Sequence, residues 1–189
     1  EFIVDDAGCG YGRDAVLDGE WLYIATEAVG TAVHHLNADN GPSPCLRRFN
    51  TTTKTFDEDF TVDLNDLAGG PAGSLVTTAS GEALLHILDA DAAADGIADG
   101  SLSNPRALSS AELWHTARLT VGDSPSVEVL DVPLRSASVL PASLLDDLRV
   151  TPTFGEVPQI LEITADGIAE TSETGATVEG FTSAIFQVH

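Results

Sequence analysis

Lysine is almost missing from this chain: Lys54 is the only one, and Lys and Arg together number 8 against 30 Asp and Glu, a formal charge of −22. Such a surface repels phosphate backbones and anionic lipid, which argues against nucleic acid and membrane surfaces as partners and favours cations and basic ones. Cysteine is nearly as scarce. Cys9 and Cys45 alone cannot build a four-cysteine zinc site, and their separation fits no C-x-x-C redox motif. No apolar run is long enough to span a bilayer, so no membrane insertion is expected. No signal peptide is expected to remain, since the sequence starts at Glu1 without methionine, and a processed or trimmed N-terminus fits that expectation. The G-x-S-x-G elbow, the H-E-x-x-H pair and the P-loop are all absent, which leaves nucleophilic catalysis with little support. "GCGYG" near the N-terminus is rich in glycine but lacks the strand-to-helix setting of a dinucleotide loop, and it reads as a turn.

What is present points to one folded domain. With 189 residues and 43% apolar content, the chain can bury a sizeable core. Its acidity fits a saline habitat, or a high-GC genome with an extracellular setting, better than a dedicated acidic site, because net charge reports on solubility before function. Cys9 in "DDAGCGYGRD" and Cys45 in "GPSPCLRR" are read as one disulfide, with two unpaired thiols as the alternative. Asn50-Thr51-Thr52 forms a glycosylation sequon. Together these lean towards an extracellular or periplasmic location.

The sequence repeats. "LYIATEAVGTAVHHLNAD" (22–39) set without gaps on "SLVTTASGEALLHILDAD" (74–91) places Tyr23 on Leu75, Ile24 on Val76, His34 on His86, Leu36 on Leu88 and Asp39 on Asp91. A third copy, "RVTPTFGEVPQILEITAD" (149–166), follows through Val150, Thr153, Ile163 and Asp166. Each copy precedes an apolar strand: "CLRRFN", "ELWHTARL" and "SAIFQVH". Short runs of Val, Ile, Leu, Thr and aromatics between Gly, Asn, Asp and Pro predict strands joined by turns. Helical periodicity is confined to "LPASLLDDLR" (140–149) and "LSSAELWH", the second of which the repeat claims as strand.

The stretch "LDGEWLYIAT" with "AVHHLNADNGPSPCLRRFN" resembles the blade repeat of quinoprotein-type β-propellers. That repeat is a Gly-containing turn, two apolar strands with a Leu-Asp-Ala end, an Asn-Gly or Thr-Gly turn, and a strand carrying Trp. Here the turn is Asn40-Gly41, Arg47 or Arg48 takes the Trp place, and the second copy supplies Leu88-Asp89-Ala90 and Trp114. The resemblance implies an all-β fold of four-stranded antiparallel blades, with units near 14–67, 73–134 and 149–189. A β-sandwich of hairpin repeats is the alternative. Three blades leave open edges, so an incomplete propeller would be completed by another chain or a second copy. It implies no particular activity.

Two sets of side chains are candidate ligands. In "DADAAADGIADG" (89–100), Asp91, Asp95 and Asp99 bracket a Gly-Ile pair, in the manner of acidic calcium repeats. Calcium takes six to eight hard oxygens, and closely spaced carboxylates in a turn suit it. Ala93 stands where such a repeat would have another acid, and the bland reading is a solvated, elongated turn. "ADGIAE" (165–170) echoes "ADGIAD" (94–99), through a second ion site or a reused turn. His34 and His86, at equivalent repeat positions, could join His115 in a copper or zinc site. If 34–35 lie on a strand, His34 and His35 point to opposite faces, which favours ordinary strand histidines. A quinone cofactor would need a cationic pocket, and Arg47 and Arg48, adjacent and on opposite faces, do not make one.

The expected protein is therefore a secreted or periplasmic binding or scaffolding module, stabilised by calcium, that recognises a protein or small-molecule ligand on its loop face. The alternative is a metal-dependent or quinone-dependent propeller enzyme, or a copper- or zinc-binding surface protein.

Overall fold

A computed structural model describes Asp5, Gly8, Cys9, Gly12 and residues 15–37, 41–77, 83–132 and 134–137, together with the backbone of strands lying between 142 and 173. Strands β1 (Ala15–Asp18), β2 (Trp21–Ala25), β3 (Cys45–Asn50) and β4 (Thr55–Asp63) form a first antiparallel sheet in sequence order. Helix α1 (Ala28–Leu36) sits between β2 and β3, and α2 (Leu64–Ala68) follows β4. Strands β5 (Ala72–Thr77), β6 (Ala83–Leu88), β7 (Trp114–Thr120) and β8 (Ser126–Val129) form a second sheet of the same order. Helices α3 (Ala90–Ala98) and α4 (Pro105–Ser110) are inserted between β6 and β7. Backbone pairing also joins β9 (Ala142–Ser143), β10 (Leu148–Thr151), β11 (Gln159–Thr164) and β12 (Gly167–Glu173) in a third antiparallel sheet. The protein is thus mostly β, and no sheet among the described residues closes into a barrel.

The local chemistry of the turns fixes this order. Asp18 pairs with Trp21 across Gly19-Glu20, and Gly19 has φ +59°, the left-handed backbone that a two-residue hairpin requires at its first central position. The first two sheets share one core, in which Val16, Tyr23, Leu46 and Phe60 meet Leu75, Leu85, Ile87 and Leu119. On the opposite face of the second sheet Val76 of β5 and Leu84 of β6 are buried under Leu130, with Val132 packed beside them. All six residues of β6 are therefore buried, which is why "ALLHIL" is a continuous run and not an alternation.

Register places every helix at one end. Ala25 pairs with Leu46 and Cys45 with Asp63, so α1 and α2 leave the same end of the first sheet. In the second sheet Ala72 pairs with Ile87 and Leu88 with Trp114, so α3 and α4 share an end with the start of β5. The Thr31 hydroxyl donates to the Ala72 carbonyl (3.0 Å) and Ser74 N–H to the Thr26 carbonyl (2.7 Å), which brings the two ends together. A separate apolar cluster fills this helical end: Ala28 and Ala32 of α1, Ala93 of α3 and Leu108 of α4, with Leu88 and Trp114 at the strand ends. The Gly19-Glu20, 51–54 and 121–125 connections lie at the other end.

Several expectations need correction. The gapless repeat lays a strand and a helix, β2 and α1, on two strands, β5 and β6. By topology the second strand of the first sheet, β2, corresponds to β6, so His34 and His86 are not equivalent. Residues 28–36 are helical because Ala28, Thr31 and Ala32, at helical spacing, are small enough to lie against the sheets. The helix expected at 140–149 contributes instead to strands β9 and β10. "CLRRFN" is β3 as expected, whereas "SAIFQVH" (183–189) lies outside the described residues.

Candidate functional site

The helical end gathers most of the candidate residues, beginning with the acidic stretch 89–100. Asp89 is an N-cap whose carboxylate accepts Ala92 N–H (3.0 Å), and the alanines behind it favour helix. Asp91 lies in the positive first turn. Asp99 closes α3, accepting Ser101 N–H at 2.9 Å, and Gly100 carries the chain away at φ +86°. The Ser101 backbone and hydroxyl hold the Asp99 carboxyl below its ordinary pKa. What reads as an elongated turn is a capped helix.

That geometry spreads the calcium candidates. Four residues of helix rise ~6 Å, so Asp91 and Asp99 stand about 12 Å apart along the axis, beyond the ~2.5 Å at which one calcium ion holds its oxygens. Asp91, Asp95 and Asp99 are all exposed. The echo "ADGIA" does not repeat the structure either: Gly96-Ile97-Ala98 is helical in α3, whereas Gly167-Ile168-Ala169 is strand in β12. Here the surroundings of one short sequence decide its conformation.

The histidines are likewise dispersed. His34 and His35 occupy the last turn of α1, where burial and then the neighbouring His34 lower the His35 pKa. His86 is buried within β6, its Nδ1–H donating to the Ser74 carbonyl at 3.2 Å. His115 is the second residue of β7 and half-buried, with Nε2 3.6 Å from the Asp89 carboxylate. Asp89 is the partner that sequence reasoning missed, although an Asp before an alanine-rich run is itself a helix-start signal. Among the described residues no group of three or more His, Cys, Asp or Glu side chains is placed to hold a metal ion.

Thr26 organises the entrance to α1. It accepts Cys45 N–H on its hydroxyl (2.9 Å), bonds the Cys9 carbonyl, and presents its own carbonyl to Ser74. Cys9 and Cys45 are joined in a disulfide, with Cα atoms 5.4 Å apart, so Cys9 is pinned to the start of β3 at the helical end. Asp63, the N-cap of α2, accepts from Asn65 and Asp66 N–H and from the Ser43 hydroxyl. Burial would raise its pKa, but these donors and the nearby His34 hold it low.

Three arginines are tied within the protein and do not line an anion pocket. Arg47 is buried, paired with Asp5 (3.1 Å) and bonded to Phe60 O and Thr61 Oγ1. Arg48 lies against the rings of Trp21 and Phe60, 4.4 and 4.5 Å from their centroids, and pairs with Asp57 (2.7 Å) and Asp123 (2.5 Å). Burial works against its charge, but the bonds to Asp123, Asp57 and Tyr23 win and raise its pKa further. Arg118 meets Glu128 at 3.5 Å. Their absorption leaves the acidic excess to dominate the surface.

The chain matches no protein-family model, and comparison with known proteins and with solved structures finds no match. Its function has to be argued from its own residues. No helix among the described residues is long and apolar enough to cross a membrane.

Proposed function

We propose that this protein is a secreted or periplasmic binding module of propeller type, which recognises a cationic partner on its helical end. The observation that carries this reading is the segregation of α1, α2, α3 and α4 to one end of two sheets whose described opposite-end connections are tight turns. Long insertions on a rigid frame are where binding residues concentrate. Exposed Asp66, Asp91, Asp95 and Asp99 give that end its charge, while Arg47 and Arg48 are held inside. Consecutive four-stranded sheets, β1 bonded to β5 through Thr77 Oγ1 and the Ala15 carbonyl (2.8 Å), and a second sheet covered on both faces all suit propeller blades. The Cys9–Cys45 disulfide suits an oxidising compartment.

Lys54, the sole lysine, lies exposed in the turn opposite the helices and accepts a fluorophore without touching the proposed surface. A labelled sample titrated with an oligo-lysine peptide should bind with an affinity that falls as salt rises. Backbone amide exchange of that complex should slow over 28–37, 64–70 and 90–113. Slowing at 51–54 and 121–125 instead, or no binding at low ionic strength, would overturn the reading.

A further inference from the structure

We infer that the sequon Asn50-Thr51-Thr52 is closed to N-glycosylation in the folded protein, because Asn50 is the internal cap of the β3–β4 turn. Its side-chain carbonyl accepts Thr52 N–H and Thr53 N–H, each at 2.9 Å, and its backbone carbonyl accepts Lys54 N–H at 2.8 Å. Asn50 is 6% exposed, and its backbone pairs with both Trp21 and Thr55. Thr51 is fastened from the other side, with its N–H and hydroxyl donating to the Glu20 carbonyl at 2.8 and 2.9 Å. The two turns at this end are thereby stapled together.

A glycan is attached through the amide nitrogen of the same group whose oxygen holds those two N–H groups. Those two bonds fix the amide in the turn, where burial of Asn50 leaves little space around it for a sugar or for the transferring enzyme. A sugar on Nδ2 leaves Oδ1 able to accept both N–H groups, but it needs room beside a residue that is only 6% exposed, and one attached before folding would keep the β3–β4 hairpin from closing over Asn50. The triplet that reads as a mark of secretion is accounted for by turn formation: an Asx cap followed by two threonines and a left-handed Lys54 at φ +61°. This holds whether or not the helical end binds a partner.

The test uses the full chain from two hosts, one that transfers N-glycans during secretion and one that does not. Folded monomer from the first should have the mass of the unmodified polypeptide, unchanged by peptide-N-glycosidase. In the second host Asn50→Ala should lower Tm by roughly 3–8 °C. Thr52→Ala destroys the sequon but keeps both backbone donors, and it should melt with the parent. If the glycosylating host retains a glycosylated, unfolded form, rescue of secretion by Thr52→Ala supports the same incompatibility. A glycan on Asn50 in folded monomer, or an Asn50→Ala variant that melts with the parent, would overturn the inference.

Discussion

His86 is the buried residue on which mild acid acts. Burial lowers its pKa from the ordinary 6.5, and the bond to the Ser74 carbonyl, which favours the charged ring, only partly opposes this. In the unfolded chain the imidazole takes up a proton near 6.5, whereas in the folded chain it resists. Below that pH the unfolded state holds the extra proton, so stability rises with pH through this window and falls on acidification. Urea midpoints measured from pH 7.5 to 5 should therefore drop, and His86→Gln should flatten the drop; a parent and variant that fall in parallel would count against this role. Asp57, Asp63 and Asp99, with pKa values held below 3.8, stabilise above that value and lose their contribution only in stronger acid. The disulfide was legible at this scale because only one pairing of two cysteines exists. The burial of His86 was not, because it depends on what covers each face of β6.

At the scale of elements, β5 lies against the start of α1 so tightly that Gly73 has no room for a side chain. A Cβ there would stand 2.2 Å from Thr31 Oγ1 and 2.7 Å from the Thr26 carbonyl. Gly73→Ala should cost about 1–3 kcal/mol, the range for overpacking, and calorimetry or urea unfolding would show it; an unchanged midpoint would mean that α1 does not lie on β5. Strand β3 could be read from its composition and bounding turns. The α1 helix could not, because "TAVHHL" offers apolar residues at both strand and helix spacing and only its neighbours select one. The α3 stretch was legible in part: the cap, the alanines and the closing glycine were all present, but a calcium pattern in the same acids competed with them.

For the whole molecule, the net charge of −22 works against compactness, and added salt should screen it. Melting temperature should rise between 0.05 and 1 M sodium chloride, although screening also weakens Arg48–Asp123 between the two sheets. A fall would mean that such ion pairs outweigh the repulsion. Calcium at 1 mM should add no more than its share of ionic strength, since α3 spreads Asp91, Asp95 and Asp99 along its axis; a melt raised well above that of an EDTA-treated sample at matched ionic strength would show a site that this geometry does not supply. The residues read in order established an acidic protein and pointed to a mostly β one, with a disulfide favoured over two free thiols, because net charge, strand propensity and turn residues are sums over local chemistry. Which strand answers to which, where the helices gather and whether three aspartates or three histidines meet were decided only by the tertiary structure. For the strands, the helices and the histidines these are relations between residues far apart in sequence, set by register and face coverage; for the aspartates the helical form of α3 sets the spacing.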